Sequence, residues 1–418
     1  MTDLVIIGAG LSGLFAGVLA ARRGLAVTVV ARGSGGLLGG TGGVDMHSYD
    51  AAGALLAAPD FAQFADTHPY APVDRALVAA ALMEFQAIAS AHGLTYTGDL
   101  TRNHHLPTAL GAPRATLLVP QAQAAGDLRS PEPMVLVQLA GFRDFYPDLM
   151  AANLRTAGHS VLPTLPLPLP DAPRQREAYA TDLAHALDQP ETRREWLKAW
   201  RNAFRDYTAQ HGRPERLGFP AVLGLREHAA VLRDLETTLD VAIFEVPILP
   251  PSVPGLRLET ALRAAFSAAG GRLVLGGTAA GQIDRHGTAS ATYTATGAAR
   301  SLPARYFLLA SGGFGHGGLE AKVDGQVCET TFGLPVVANH NRATWGAENY
   351  LDPQPYARFG VRVDAHGRPT DEHGEPLAHN LWACGSLLAG ADRLTEGSRE
   401  GIALVSAYRA VQAIDSQR

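Results

Sequence analysis

The stretch Leu4-Val5-Ile6-Ile7-Gly8-Ala9-Gly10-Leu11-Ser12-Gly13, with Gly17 one helical turn later, decides the fold. An apolar strand runs into a tight glycine turn, and the turn opens a helix. That order, strand then GxGxxG then helix, is the one that binds a dinucleotide. Gly8 permits the sharp turn, Gly10 leaves room for a pyrophosphate, and Gly13 and Gly17 let the helix approach the sheet. Amides at the helix start, around Ala9, Leu11 and Ser12, attract the phosphates. A second strand, 26–30, follows Gly24 after a helix of the right length. Leu4 to Ala21 is also uncharged and apolar enough to suggest a membrane span. The glycines break that stretch, no similar segment follows, and no secretory leader is expected at this start.

The 418 residues suffice for two domains with sizeable cores. A net charge of -5 gives no electrostatic footprint for nucleic acid. Only 18% of residues are charged, whereas Gly (45) and Pro (27) are abundant, which suits a loop-rich α/β enzyme better than a helical bundle. The two cysteines, Cys328 and Cys384, are too far apart in sequence for a CxxC pair and too few for a zinc or iron–sulfur cluster. No metal site is expected, and a reducing cytoplasm is the default; a disulfide between the two cysteines stays open.

Working outward, the pattern predicts an α/β fold. Its core is a Rossmann-like FAD/NAD(P)-binding domain with a mostly parallel sheet and an antiparallel meander, and it carries an inserted α+β domain. The cofactor domain is expected in segments 1–58, 245–320 and 375–418. Segments 59–244 and 321–374 would form a substrate or partner domain. Asp74 to His92 reads as a helix with Leu77, Ala81, Phe85 and Ile88 on one face. Leu162 to Pro173 alternates proline with leucine, so it is neither a helix interior nor a central strand, and reads as an extended connector or a flexible linker. Arg193 to Tyr207 mixes Trp196, Trp200, Phe204 and Tyr207 with arginines; packing against a core or a subunit is favoured over lying on a membrane. From 242 the α/β pattern returns: a strand at 242–246, a helix at 256–268, a strand at 272–275, a meander over 282–300 and a buried strand at 306–309.

Three glycine-rich turns carry the candidate cofactor residues. The first is Gly8 to Gly13, followed by the loop from Gly33 to Gly43 with Thr41, Gly42 and Gly43. The second is Ala310, Ser311 and Gly312, small residues at the carboxyl end of a parallel strand, where a dinucleotide can cross the sheet. The third is Gly385 and Ser386, with a helix starting near Gly401 and Ile402 whose positive end could face a reduced flavin. Together these favour a flavin over a nicotinamide. One position departs from the pattern. Ala31 and Arg32 stand where a Glu or Asp normally holds the adenosine ribose. Arg32 could bind a phosphate instead, or the site could hold FMN, so both FMN and FAD stay open. In the middle section His104, His105, Thr108, Arg114 and Thr116 cluster in sequence. Arg114 suits a phosphate or carboxylate, and the histidines suit proton transfer near neutral pH. These three, His104, His105 and Arg114, are the candidate catalytic residues. Arg342, His340, Arg358 and Arg399 are further candidates that no spacing ranks.

With these residues the chain resembles the B-subunit family of the anaerobic glycerol-3-phosphate dehydrogenases, nearly end to end. The resemblance rests on Gly8 to Leu14, Thr41-Gly42-Gly43-Val44-Asp45, and Thr108 with Gly111, Arg114 and Thr116. Its most specific piece is Leu249-Pro250-Pro251-Ser252-Val253-Pro254-Gly255-Leu256-Arg257-Leu258, which flavoproteins in general lack; Phe359-Gly360-Val361 and the Gly385-Ser386 turn complete it. The resemblance implies a flavoprotein subunit, usually assigned FMN, in an anaerobic respiratory complex of glycerol metabolism. Its partners would be a catalytic A subunit, which binds FAD and glycerol 3-phosphate, and an iron–sulfur C subunit that anchors the complex. The complex would sit at the inner face of the cytoplasmic membrane, oxidise glycerol 3-phosphate to dihydroxyacetone phosphate, and pass electrons to quinone. This chain would need no direct membrane span. The resemblance assigns no catalytic residue to this chain. Two other readings stay open: a self-sufficient flavin oxidoreductase similar to fumarate-reductase and succinate-dehydrogenase flavoproteins, and a non-catalytic scaffold subunit.

Overall fold

A computed structural model of the chain describes residues 2–71, 73–170 and 178–418. The chain divides into two compact units: Met1–Leu37, Val44–His92 and Glu259–Arg418 form one, and Leu38–Gly43 with Gly93–Leu258 form the other. This division differs from the expected segments. Residues 59–92 and 321–374 stay with the first unit, because the Arg75–Ser90 helix packs on the C-terminal helix, Arg399–Asp415, and Leu334 and Val361 share a core with Val5 and Ile7. Residues 245–258 go with the second, because Ala242–Val246 pairs with Arg216–Pro220.

The first unit is built on a five-stranded sheet in the order Arg272–Leu275, Val27–Ala31, Thr2–Ile7, Ala304–Leu309, Leu381–Ala383. Every neighbouring pair is parallel. A strand buried on both faces reads as an unbroken apolar run, which is why Val5-Ile6-Ile7 and Phe307-Leu308-Leu309 lack alternation. The helix Leu11–Arg22 follows the opening strand, with Ser12 through Ala20 buried. Gly17 allows its approach: a Cβ there would stand 2.9 Å from the Phe266 ring and 3.3 Å from Val29. The meander is a three-stranded antiparallel sheet, Thr278–Ile283, Ala289–Ala295 and Ala298–Ser301. The C-terminal helix, Arg399–Asp415, is buried from Glu400 through Val411. Asp74 caps the Arg75–Ser90 helix by accepting the Leu77 N–H at 2.7 Å. Cys328 and Cys384 are both free thiols.

The second unit carries more parallel sheet than an α+β insertion would. Its four strands run Ala242–Val246, Arg216–Pro220, Met134–Leu139, Leu165–Leu167, all parallel, with helices packed around them. The proline–leucine run is therefore in part a true strand, at the sheet edge where missing donors are tolerated; residues 171–173 of it lie outside the described residues. The Pro190–His211 helix buries its aromatic stripe in this unit's core. Three of those aromatics satisfy carbonyls of the proline run: Trp196 Nε1 donates to Pro170 at 3.1 Å, Trp200 Nε1 to Pro168 at 2.7 Å, and Tyr207 Oη to Pro163 at 2.5 Å. Arg194, Lys198, Arg201 and Arg205 are exposed on its outer face, whereas Arg193 turns inward to pair with Asp234 at 2.9 Å. The helix Val253–Ala268 starts earlier than the sequence suggests, with Ser252 Oγ accepting the Gly255 N–H at 3.2 Å. The preceding Pro250–Pro251 peptide is cis. At the start of that helix Arg257 is locked in a buried pair with Glu245, at 2.6 and 2.9 Å.

Among the described residues no helix is long and apolar enough to cross a membrane.

Candidate functional site

The strand register of the first unit brings the glycine turns to one edge. Ile7 lies beside Val30 on one side and Leu309 on the other, and Leu309 lies beside Ala383. The chain leaves these strands at Gly8, Arg32, Ala310 and Cys384, the carboxyl ends where an open parallel sheet binds its ligand. Gly8 has φ 120° and is pressed on the Ala310 carbonyl, which a Cβ would overlap. A Cβ at Gly13 would overlap the Gly8 carbonyl, and one at Gly385 would overlap Ser12 Oγ. Gly10 is different: among the described residues no atom lies within 4 Å of where its Cβ would be. The helix that starts there has no side-chain cap, so its first amides face open space with their partial positive charge. Ser311 Oγ is buried, with no hydrogen-bond partner among the described residues. An uncapped helix start, a glycine with open space before it and an orphaned hydroxyl fit the pyrophosphate of a dinucleotide.

Further around the same edge, a Cβ at Gly35 would come within 2.9 Å of the Gly10 backbone. His316 packs between two glycines: its ring stands 2.7 Å from the Cβ position of Gly36, and its own Cβ 2.7 Å from that of Gly312. Burial and the nearby cations Arg399 and Arg393 hold the His316 imidazole below its ordinary pKa, hence neutral. Burial lowers Arg393 to about 10, against the pull of Glu396 and Asp392, so it stays charged at neutral pH. Arg393 Nη2 is 3.8 Å from the Gly313 Cβ position, and the Gly313 N–H donates to Ser386 Oγ at 3.2 Å. Arg32 is exposed, with Nη1 3.8 Å from the Cβ position of Gly317. His316 and Arg393 were not singled out from sequence; the signal was the histidine closing Gly312-Gly313-Phe314-Gly315-His316.

Gly401 and Ile402 are placed otherwise than expected. The Gly401 N–H donates to the Asp45 carbonyl at 3.0 Å, and the Ile402 N–H to the Ser398 carbonyl at 2.9 Å. Gly401 lacks a side chain because the Tyr70 hydroxyl and Met46 lie against it. Gly401 is thus closely packed, and both amides are bonded to backbone carbonyls.

In the second unit Thr41, Gly42 and Gly43 form a clamped loop. Arg114 Nη1 donates to Thr41 Oγ1 at 2.7 Å, Gln123 Nε2 to the Thr41 carbonyl at 2.8 Å, and Tyr96 Oη to the Gly42 carbonyl at 2.6 Å. The Pro-Pro-Ser run closes it from the other side. A Cβ at Gly42 would stand 2.8 Å from Pro254, and the Ser252 N–H donates to the Leu38 carbonyl at 2.8 Å. Arg114 and Thr116 come from a hairpin, Pro113–Thr116 against His104–Pro107, with Leu106 opposite Arg114 and His104 opposite Thr116. Directly opposed residues share a face and neighbours alternate. Arg114, Thr116 and His104 therefore lie on one face and His105 on the other, so the two histidines do not converge on one substrate. The His104 Nδ1 is 2.9 Å from Asp127. Burial raises the Asp127 carboxyl, but hydrogen bonds from His104 and Arg129 outweigh it and hold the group well below the usual carboxylate range. Thr116 Oγ1 is buried, with no hydrogen-bond partner among the described residues. Among the described residues no group of three or more His, Cys, Asp or Glu could hold a metal ion.

A family model described as an FAD binding domain matches residues 3–402. Curated relatives named as the B subunit of anaerobic glycerol-3-phosphate dehydrogenase align over nearly the whole chain. The one from Pectobacterium carotovorum subsp. carotovorum is 32% identical, covering 99% of this chain and 98% of its own. The one from Yersinia pseudotuberculosis serotype I is 32% identical with the same coverage. The chain belongs to the FAD-binding family of anaerobic glycerol-3-phosphate dehydrogenase B subunits. Of the two flavins expected, FAD is the one the family model names. Among solved structures, a 3-ketosteroid Δ1-dehydrogenase from Sterolibacterium denitrificans aligns over 100% of this chain and 99% of its own at 12% identity, with a TM-score of 0.46. That distance is too great to bear on function.

Proposed function

We propose that this chain is the flavoprotein member of a complex that oxidises sn-glycerol 3-phosphate to dihydroxyacetone phosphate and delivers the electrons, through partner subunits, to quinone. The observation that carries the reading is the glycine edge of the first unit in a chain aligned end to end with curated B subunits. FAD, when bound, supplies acceptance of the two electrons released as the C2 hydroxyl becomes a carbonyl, with two protons lost. The residues that would hold it are Gly8, Ala9, Gly10, Leu11, Ser12 and Gly13 at the pyrophosphate, with Ala310, Ser311, Gly312, Gly385 and Ser386 along the strand ends. Arg32 would take the place of the usual acidic ribose ligand. Arg393 and Arg399 would offset negative charge that builds up on reduction.

Substrate contact in this chain would fall to the Thr41–Arg114 cluster. The planar guanidinium of Arg114 suits a phosphate, and Thr116 has a hydroxyl to give. His104, oriented by Asp127, is the proton-transfer candidate on that face, and His105 the weaker one. The A and C subunits would complete the path at the inner face of the cytoplasmic membrane.

The test is to purify the chain, release its flavin with acid and identify it, then co-express it with its two partners and follow glycerol-3-phosphate-dependent reduction of a quinone analogue. FAD in the chain and quinone reduction that needs all three subunits support the reading. A chain that refuses FAD, or a flavin-loaded complex inert toward glycerol 3-phosphate, overturns it.

A further inference from the structure

The first unit contains a cavity of about 930 Å³ that shares no lining residue with the glycine edge. Arg409, from the middle of the buried C-terminal helix, lines its wall. That residue is only 4% exposed, and its Nε, Nη1 and Nη2 are buried with no hydrogen-bond partner among the described residues. A guanidinium is always charged and carries five donors; the Asp364 charge acts on it without a hydrogen bond, so those donors stay unmatched, which is unfavourable in a buried position.

The carboxylates that line the cavity are committed or solvated. Asp364 is held by Arg368 Nε at 2.8 Å and by the His366 and Arg368 N–H groups, both at 2.9 Å. Glu396 accepts from Ser398 Oγ and the Asp392 N–H, both at 3.0 Å, lies 3.1 Å from His68 Nε2, and faces Arg358 at 3.7 Å. Asp50 accepts the Ala52 and Ala54 N–H groups at 2.9 Å, and Asp66 is exposed. The Cys384 thiol near Arg409, raised by burial to about 12, stays neutral.

We infer that this cavity is a binding site for a small organic monocarboxylate with a flat apolar body, its carboxylate seated on Arg409. The planar guanidinium fork matches a carboxylate with two parallel bonds. Around the cavity the three arginines 358, 362 and 409 are outnumbered by the four carboxylates 50, 66, 364 and 396, which disfavours a doubly charged phosphate. The walls suit a ring. Phe64 stacks on His68 at 3.8 Å and 6° between planes, and Phe359, Val361, Val363 and Leu388 are apolar neighbours.

The test titrates the FAD-loaded chain with 2-naphthoate, 2-naphthamide and inorganic phosphate, with binding read by saturation-transfer NMR. Saturable naphthoate binding is expected, with naphthamide and phosphate weaker by about tenfold or more. Arg409→Gln should reduce naphthoate to the naphthamide level. Val363→Trp, which fills the cavity and keeps the guanidinium, should abolish naphthoate binding, and decides the matter if Arg409→Gln does not fold. Equal binding of naphthoate and naphthamide, tighter binding of phosphate, no naphthoate binding, or binding indifferent to Val363→Trp would each overturn the inference.

Discussion

Gly10 and Gly13 stand three residues apart, yet alanine at each position should break a different thing. At Gly13 the new methyl would overlap the Gly8 carbonyl oxygen and lie 2.9 Å from its carbon. Backbone cannot yield as a side-chain tip can, so the helix must lift from its strand. Alanine inside a helix ordinarily gains about 0.5–1 kcal/mol over glycine. Here the overlap turns that gain into a net loss of about 1–3 kcal/mol, the usual cost of overpacking. At Gly10, φ is -77°, within reach of any residue, and no atom of the described residues lies within 4 Å of the added carbon. Gly10→Ala should therefore leave the flavin-free chain within about 1 kcal/mol of wild type, the remainder reflecting alanine's weakness as an N-cap. Its methyl occupies the space a pyrophosphate must enter, so FAD affinity should fall by about tenfold or more, about 1.4 kcal/mol per factor of ten. Urea unfolding of the flavin-free chain by far-UV circular dichroism gives the first quantity, and quenching of FAD fluorescence the second. Wild-type FAD affinity in Gly10→Ala would refute the assignment of that open space to the cofactor, and equal urea midpoints for the two variants would refute the close packing at Gly13.

Other outcomes follow from the second unit. Glu245→Gln leaves Arg257 charged and buried beside a neutral partner, after bonds of 2.6 and 2.9 Å. It should cost about 3–5 kcal/mol by urea titration, and a loss under about 1 kcal/mol would show the pair to be replaceable. Asp127 has a folded pKa below its ordinary 3.8, so the stability it contributes is present above that pH and is lost as acid protonates it in the fold. Asp127→Asn should flatten the fall of the urea midpoint below about pH 4; an unchanged acid limb would contradict the coupling to His104 and Arg129. Arg114→Met, assayed in the assembled complex, should raise KM for glycerol 3-phosphate by about tenfold or more with kcat little changed, the size of one charge-assisted bond. No change in KM would move the phosphate site out of this chain.

The parts of the fold that were legible in sequence are those fixed by local chemistry. Val5-Ile6-Ile7-Gly8 and Phe307-Leu308-Leu309-Ala310 each combine an apolar run with small residues, and they prove to be adjacent strands. Nothing local says that Ala242–Val246 belongs to a separate parallel sheet, since a buried strand looks alike in either sheet. Gly401 is ambiguous in sequence for a related reason. Glycine marks close approach, and sequence alone cannot say whether a cofactor or the Tyr70 hydroxyl makes it. The two histidines of 104–105 looked like a pair because they are consecutive, but consecutive strand residues face opposite ways. Arg409 carries a plain signal in sequence: it is the one charged residue in the otherwise uncharged run Ile402 to Val411.

The proline run between Pro163 and Pro170 has a consequence for how this protein survives at high concentration. Its strand, Leu165–Leu167, is the last of the parallel sheet. An unprotected last strand presents a row of donors and acceptors to which another chain can add, the first step of aggregation. Here Pro163, Pro166, Pro168 and Pro170 have no N–H to offer. Carbonyls of Pro163, Pro168 and Pro170 are already taken by Tyr207, Trp200 and Trp196. The same hydrogen bonds that tie the aromatic helix to the core thus leave the strand with little to template on, so the sheet ends where this chain ends it.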